Sequence, residues 1–280
     1  MSRLVVVSNR VPLPDKHGNP PPGGLAVAVH AALRDQGGIW MGWSGRAVAD
    51  TEDVRVTTRE QGRIAYSLMD LTETDVEEYY NGFANRVLWP IFHGRVDLAE
   101  YARREMAGYF RVNRLFADQL VPMLRPDDTI WVHDYHLIPL AEELRQRGVK
   151  NRIGFFLHIP WPPADILFAM PVYEAVLSGL SAYDLVGFQT DYDMDNFSGC
   201  LRREGSGSPL GDGEVVAYGR QFRVGAFPIG METEEFANLS RASVGKPGVR
   251  DLLRSLHGRR LIIGVDRLDY SKGIPNRIDA

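Results

Sequence analysis

The chain repeatedly places a short run of apolar residues before a longer stretch in which apolar residues recur at helical spacing. Short strands that are apolar on both faces are typical of a parallel sheet that helices cover on both sides. We therefore expect an α/β fold with a Rossmann-like parallel sheet. The runs that predict strands are Leu4–Ser8, Thr129–His133, Arg152–His158, Leu185–Gln189, Phe222–Ile229 and Arg260–Val265.

The stretches between these runs predict helices and loops. The predicted helices are Gly24–Leu33, Val172–Leu180 and Leu137–Arg147, the last ended by a glycine at its C-terminus. Glu204–Gly213 is rich in Gly and Ser and predicts a surface loop, and Asn238–Gly258 predicts a connecting region.

The last predicted strand suggests a second domain. A chain of 280 residues has room for one large domain or two small ones, at about 100–200 residues per domain. One strand and one turn bury too little apolar surface to form a domain. Either this strand joins the edge of the first sheet, or one domain covers residues 1–255 and residues 256–280 are the first strand and turn of a second domain that is otherwise missing.

The charge and the cysteine content of the chain indicate which partners it can bind and in which cellular compartment it works. Arg and Lys number 32 and Asp and Glu 36, a net charge of −4, so the chain lacks the positive charge that drives binding to nucleic acid. The one cysteine, Cys200, excludes an intramolecular disulfide and fits a reducing compartment. No apolar run reaches the length of about 18 residues that predicts a membrane span. We expect a cytoplasmic protein, and the sequence leaves a homo-oligomer open.

Polar side chains follow almost every predicted strand. Parallel α/β sheets bind ligands at the carboxyl ends of their strands, so these residues predict a site built from several strand ends. They are Asn9 and Arg10, His133 to His136, His158, Gln189 and Thr190, and Arg267.

Three common kinds of chemistry are disfavoured. The spacing of His133, His136 and His158 differs from that of helical zinc motifs, and cysteine pairs are absent, so no metal site is predicted. Gly42–Gly45 lacks the spacing of a nucleophilic serine elbow. Residues 20–24 lack the glycine pattern for a nicotinamide cofactor, and no cofactor is predicted.

Phosphate binding is better supported. Gly23 and Gly24 precede a helix, where free backbone amides can meet an anion. Arg10 lies at a strand end, and Arg267 and Lys272 bracket another, a suitable clamp for a diphosphate. Any one of these cations alone is more simply a solvated surface residue. Together they favour a phosphate site.

Sugar binding needs groups for hydroxyls and rings for apolar faces. Asp134, His158, Trp43, Tyr80 and Trp89 are residues of suitable types. The alternative for each is packing in the core or at its rim.

Nine stretches from end to end resemble the trehalose-6-phosphate synthases, a family of retaining glycosyltransferases with the GT-B fold. The family has two Rossmann-like domains that face a cleft, so the resemblance implies that this chain is mainly the N-terminal domain. The stretches are Arg3–Arg10, Gly23–Val27, Gly42–Gly45, Tyr79–Asn81, Val87–Pro90, Trp131–Leu137, Arg152–Pro160, Gly187–Thr190 and Gly264–Pro275.

The resemblance implies roles for individual residues on the acceptor side. Arg10 and Tyr80 match positions that hold the phosphate of glucose 6-phosphate. Trp89 matches an aromatic residue that lines the acceptor site, and Asp134 matches the carboxylate that binds acceptor hydroxyls and joins the catalytic set.

Other matches concern the nucleotide sugar, which in the family is usually UDP-glucose. Gly23 and Gly24 match loop amides at the donor phosphates, and His158 matches a histidine near the donor glucose. Arg267 and Lys272 match the pair that holds the donor diphosphate and stabilises its departure. The reaction implied is glucosyl transfer with retention, giving trehalose 6-phosphate without a metal or cofactor.

Family members continue into a complete second domain that carries further donor contacts. We therefore expect the 280-residue chain, as an incomplete form, to bind glucose 6-phosphate weakly and to make no trehalose 6-phosphate. Two other functions stay open: a glucosylglycerol-phosphate synthase-like transferase, and a non-catalytic sugar-phosphate-binding domain.

Overall fold

A computed structural model describes residues 3–15, 24–52, 54–230 and 232–280. Within these residues, ten strands form one mixed sheet in the order β3-β4-β2-β1-β5-β6-β7-β10-β9-β8. The strands are β1 Leu4–Arg10, β2 Gly38–Val48, β3 Val56–Gln61, β4 Ile64–Thr72, β5 Thr129–His133, β6 Arg152–Phe156, β7 Leu185–Phe188, β8 Gly207–Gly211, β9 Glu214–Ala217 and β10 Arg220–Ala226.

Helices and short helical turns connect the strands. The α-helices are α1 Gly24–Gln36, α2 Glu73–Asp75, α3 Trp89–Phe92, α4 Arg103–Leu120, α5 Leu140–Gln146, α6 Ala164–Leu167, α7 Tyr173–Ser181, α8 Asp191–Glu204, α9 Thr233–Ser243, α10 Pro247–Ser255 and α11 Ile274–Asp279. A π-helix, Val76–Leu88, joins α2 to α3. The 3₁₀ turns are Val96–Leu98, Val121–Met123, Tyr135–Leu137 and Tyr270–Lys272.

The centre of the sheet is parallel, which confirms the predicted fold class. Strands β4, β2, β1, β5, β6, β7 and β10 pair in parallel, and β3, β9 and β8 add antiparallel pairs at the two edges. The chain moves from β1 outward to β2 and then returns to place β5 on the other side of β1. The order of the sheet therefore reverses between β1 and β5, the position at which open α/β sheets form a binding crevice.

Both faces of the sheet are covered, as the apolar strands predict. Val5 and Val7 of β1 belong to the larger core cluster, which includes α4. Val6 points the other way and packs with Val29 and Leu33 of α1. Alternate residues of one strand thus contribute to two cores, which is why the run has no polar face.

Several sequence-based boundaries were wrong. Glu204–Gly213 is not a loop, because its second half is strand β8, which pairs with β9. Asp212 and Gly213, both with positive φ, form the two-residue hairpin turn that joins these strands. The predicted helix Leu137–Arg147 begins later, at Leu140, because residues 135–137 form a 3₁₀ turn.

The predicted strand Arg260–Val265 is also wrong. Residues 260–266 form no strand, and Ile262 is 95% exposed. A strand is stable only when a neighbouring strand pairs with its backbone, and the described residues supply none here. The predicted connecting region Asn238–Gly258 instead contains part of α9 and all of α10.

The chain divides into two compact units, an N-terminal unit Met1–Pro228 and a C-terminal unit Ile229–Ala280. The sequence predicted a boundary after residue 255. The difference arises from α9 and α10, whose residues are nowhere buried and which cluster with the C-terminal unit.

Gly42 is a point of close approach between β1 and β2. A Cβ there would lie 2.2 Å from the Ser8 carbonyl oxygen, whereas a Cβ at Gly154 of β6 would lie 3.7 Å from the nearest atom, on Trp131. We expect Gly42→Ala to lower the free energy of unfolding by about 1–3 kcal/mol, since backbone must move. Gly154→Ala, the matched control, should be neutral or stabilising.

Urea denaturation of the two variants measures the difference. Equal stability of Gly42→Ala and Gly154→Ala would show that the sheet absorbs the added methyl group without strain.

Candidate active site

The end of β1 is held in a defined conformation by hydrogen bonds. The register between β1 and β2 is irregular between Val7 and Arg10. The indole Nε1 of Trp40 donates to Ser8 Oγ at 2.9 Å, and Ser8 Oγ donates to the Arg10 carbonyl oxygen at 2.9 Å. The backbone that carries Arg10 is therefore fixed from within the core.

The Arg10 side chain extends over aromatic rings. Its guanidinium carbon lies 6.0 Å from the centre of the Trp43 ring, and the absence of a side chain at Gly45 leaves room for it. Trp43 lies 5.6 Å from Tyr80, which stacks on His136 at 5.6 Å and 16°. The exposed Arg10 guanidinium therefore lies next to Trp43, the first of three neighbouring aromatic side chains that continue through Tyr80 to His136.

Tyr80 and Trp89 are carried by the helical segment that runs from α2 through the π-helix to α3. The segment kinks at Gly82. The buried Tyr79 hydroxyl donates to Asn9 Oδ1 at 2.9 Å, which ties the segment to the end of β1. Trp89 lies 5.8 Å from the Tyr135 ring.

Two arginines hold this segment against α4. Arg86 Nη1 lies 2.8 Å from the buried Glu105 carboxylate, and Glu105 packs against Gly82 at the kink. Each arginine bridges two acids, so that the buried carboxylates of Glu105 and Asp75 are paired. The acids are Glu77 and Glu105 for Arg86, and Asp75 and Glu78 for Arg111.

Asp134, directly after β5, adopts a left-handed φ of 76°. A residue other than glycine rarely takes this conformation, which concentrates at functional sites. Its carboxylate accepts from the backbone N–H groups of Tyr135 at 3.1 Å and of His158 at 3.2 Å, and its own N–H donates to the Phe156 carbonyl. The carboxylate is therefore fixed between the ends of β5 and β6.

Three histidines at this edge of the sheet are kept neutral by burial. Burial lowers the pKa of His136 to about 3 and that of His158 to about 4. It also lowers the pKa of His133, and the neighbouring His158 adds to the effect. His133 Nδ1 lies 3.0 Å from His158 Nε2, so the two neutral rings share a hydrogen bond.

The structure brings five of the predicted site residues to one edge of the N-terminal unit. Contacts link Arg10 through Trp43 to Tyr80, and Tyr135 connects Trp89 with the turn that begins at Asp134. The five are Arg10, Tyr80, Trp89, Asp134 and His158.

The remaining predicted residues lie elsewhere. Gly24 is the first residue of α1, and Gly23 lies outside the described residues. Arg267 and Lys272 belong to the C-terminal unit, where Lys272 is the last residue of the exposed 3₁₀ turn.

Within the C-terminal unit, two acids close to Arg267 in the sequence make contacts with other residues of the unit. Asp266 pairs with Arg277 at 2.9 Å, and Asp269 accepts from the Ser271 N–H at 2.9 Å. Their carboxylates therefore shape this unit's own turn.

Two features are absent from the described part of the chain, a cluster of metal ligands and a membrane-spanning helix. No group of three or more His, Cys, Asp or Glu side chains there could hold a metal ion. Nor does any helix there combine the length and apolar character needed to cross a membrane.

Sequence reasoning missed the residues that position the site. Tyr79 and Asn9 are 70 positions apart, and Arg86 and Glu105 are 19 apart. No local pattern marks such pairs. His133 was predicted at a strand end of the site and weighed as a metal ligand, but its hydrogen bond to His158 was not predicted.

Comparison with known proteins decides the family. The model of glycosyltransferase family 20 matches residues 2–280. The chain belongs to glycosyltransferase family 20.

Individual members of this family are very similar to the chain. The trehalose-6-phosphate synthase of Sinorhizobium fredii is 63% identical over 281 residues, covering all of this chain and 61% of that protein. The crystal structure of a UDP-forming α,α-trehalose-phosphate synthase from Burkholderia vietnamiensis matches with a TM-score of 0.94 and 48% identity, over all of this chain and 59% of that one.

A third relative carries a ligand. The UDP-forming synthase from Burkholderia xenovorans in complex with glucose-6-phosphate matches with a TM-score of 0.90 and 45% identity, over 99% of this chain and 60% of that one. The chain thus spans about 60% of the length of the family 20 relatives it matches.

The buried histidines make the stability of the chain depend on pH. Their pKa values are lower in the folded chain than the usual 6.5, so the unfolded chain binds more protons between about pH 4 and 6.5. Stability should therefore be highest above pH 6.5 and fall as the pH drops, by up to about 1.4 kcal/mol per pH unit for each such histidine.

Urea midpoints between about pH 7.5 and 5 measure this slope. His136→Phe should flatten it, because one titrating ring is lost. His257→Asn, at an exposed position in the C-terminal unit with positive φ that asparagine tolerates, is the control for removal of a histidine outside this edge. An unchanged slope in His136→Phe would contradict the prediction.

Proposed function

We propose that this chain is the acceptor-binding part, with the beginning of the donor-binding part, of a retaining glycosyltransferase. The enzyme transfers glucose from UDP-glucose to glucose 6-phosphate and releases trehalose 6-phosphate and UDP. The observation that carries the proposal is the exposed Arg10 guanidinium over the Trp43 ring, which contacts Tyr80, at the same sheet edge as the fixed Asp134 carboxylate. A related structure contains glucose-6-phosphate, and related enzymes are UDP-forming, which supports both substrates.

The acceptor side needs one anion contact and several hydroxyl contacts. Arg10 supplies a planar guanidinium for the phosphate, and Tyr80, whose ring contacts Trp43, supplies a hydroxyl. Asp134 accepts hydrogen bonds from sugar hydroxyls, with its oxygens already oriented by two backbone N–H groups. Trp89 offers a ring to the apolar face of the sugar.

Donor contacts are proposed for Gly23, Gly24, His158, Arg267 and Lys272. Gly24 is the first residue of α1, whose first turn has free backbone amides that can meet the donor phosphates, and we assign Gly23 to the same contact. His158 lies near the donor glucose, and Arg267 and Lys272 hold the diphosphate. We propose that residues up to 255 serve the acceptor and that 256–280 begin the donor domain.

The chemistry breaks the bond between the anomeric carbon and the diphosphate oxygen. Negative charge grows on the leaving diphosphate, where Arg267 and Lys272 stabilise it. The acceptor hydroxyl attacks the same face of the sugar, its oxygen forms the new bond, and its proton passes to the departing phosphate. Retention follows without a covalent intermediate. Both substrates carry charge that does not cross a bilayer unaided, so the proposal places the enzyme in the cytoplasm.

Arg10→Ala tests the acceptor site in a protein that spans the full length of its relatives. A charged hydrogen bond to phosphate contributes about 1.5–3 kcal/mol, so the KM for glucose 6-phosphate should rise roughly ten- to a hundredfold. The KM for UDP-glucose should change much less. Arg59→Ala, at an exposed position on the edge strand β3, is the matched control.

Steady-state kinetics with each substrate varied in turn separates these outcomes. An unchanged KM for glucose 6-phosphate in Arg10→Ala would show that Arg10 has a structural role instead.

Substitutions of Arg267 and Lys272 in the same full-length protein test whether these residues stabilise the departing diphosphate. Because the charge they meet grows in the transition state, Arg267→Ala and Lys272→Ala should each lower kcat by about 10²-fold or more. Arg267→Lys should also lower kcat, since an ammonium cannot replace a bidentate guanidinium. Lower melting temperatures with a near-normal kcat in the folded fraction would assign both residues to the turn.

A further inference from the structure

The hydrogen bond between His133 and His158 determines where the hydrogens of both rings lie. His133 is the last residue of β5, 1% exposed, and is held in register with Ser8 of β1 and Phe156 of β6. Its ring lies 4.3 Å from the Trp131 ring and 5.2 Å from the His158 ring. The Nδ1 to Nε2 distance of 3.0 Å is that of a direct hydrogen bond.

Two arrangements of hydrogens fit this bond, because each neutral ring carries one N–H. In the first, His133 donates from Nδ1, and its Nε2 is a bare nitrogen. In the second, His158 donates from Nε2, and His133 must carry its hydrogen on Nε2. The two arrangements differ at His133 Nε2, which is a bare nitrogen in the first and an N–H group in the second.

His133 Nε2 is buried and has no hydrogen-bond partner in the part of the chain that the structure describes. The second arrangement would bury an N–H group without an acceptor, and orphaned buried N–H groups are rarer than orphaned acceptors. The first arrangement is therefore favoured. It leaves the hydrogen of His158 on Nδ1, the ring nitrogen that His133 does not occupy.

We propose that His133 is a positioning residue that fixes the tautomer of His158, so that His158 offers an N–H donor at Nδ1 to a sugar oxygen. This inference rests on the proposed function for the identity of the ligand, because a sugar oxygen accepts such a hydrogen bond. His158 then binds and orients the sugar and does not act as a base through Nδ1.

The tautomer is measured directly in the 280-residue chain by nitrogen-15 NMR of its labelled histidine rings. Protonated and bare ring nitrogens have widely separated shifts, and His158→Asn identifies the His158 signals by their loss. In the wild type, Nδ1 of His158 should be protonated and its Nε2 bare. For His133, Nδ1 should be protonated and Nε2 bare.

Variants of His133 separate positioning from packing. His133→Phe keeps a ring of similar size but removes the donor, so the His158 hydrogen should redistribute to Nε2. His133→Asn keeps an N–H group near the position of Nδ1 and should restore the wild-type tautomer. His136→Phe, at another buried histidine of the same edge, should leave the His158 signals unchanged.

The result that overturns the inference is a wild-type His158 protonated at Nε2. A folded His133→Phe variant whose His158 keeps the hydrogen on Nδ1 overturns it as well. If His133→Phe does not fold, the wild-type spectrum alone still decides. Failure of the full-length protein to use UDP-glucose with glucose 6-phosphate would refute the proposed function and leave the tautomer result intact.

Discussion

The reversal of strand order between β1 and β5 is the constraint on which the rest of the structure depends. The chain leaves these two neighbouring strands in opposite directions, so a crevice opens at their carboxyl ends. At these strand ends the backbone departs from the regular pattern of hydrogen bonds between neighbouring strands. At β1 the register slips before Arg10, and after β5 Asp134 takes a left-handed conformation. Both departures place polar side chains at the crevice, and both are stabilised by hydrogen bonds from buried groups.

Side-chain contacts hold this edge of the sheet in place. Tyr79 ties the kinked helical segment to Asn9, and Arg86 pairs with the buried Glu105 beside Gly82. Neutral histidines fill the space without adding charge. The backbone that carries the exposed Arg10 guanidinium and the carboxylate of Asp134 are both held by hydrogen bonds, so the two groups are in place before a ligand binds. Preorganisation of this kind suits a site whose ligand is itself flexible and strongly hydrated.

The fold and much of the site could be predicted because their signals are local. The run Thr129–His133 has apolar residues for two faces and coincides with β5, and the polar residues after it lie at the strand end as expected. The prediction of a strand at Arg260–Val265 was wrong because an apolar run indicates only that a segment can join a sheet. Whether it does so depends on a neighbouring strand that pairs with its backbone. The edge strand β8 was missed because Gly and Ser dominate its sequence, while its hairpin turn at Asp212 and Gly213 was a usable signal. The acids and tyrosine that support the site lie far apart in sequence and leave no local pattern.

The central claim, that the crevice between β1 and β5 binds a sugar phosphate, is tested most directly through the five tryptophans of the chain, each a separate indole N–H probe. Glucose 6-phosphate is titrated into the chain carrying nitrogen-15-labelled tryptophan. Trp43 and Trp89 should shift with a common affinity, while Trp161, whose Nε1 donates to the buried Cys200 Sγ at 3.4 Å, should not move. Glucose at the same concentrations should shift them far less. Unmoved Trp43 and Trp89 signals, or equal shifts with glucose, would contradict the account.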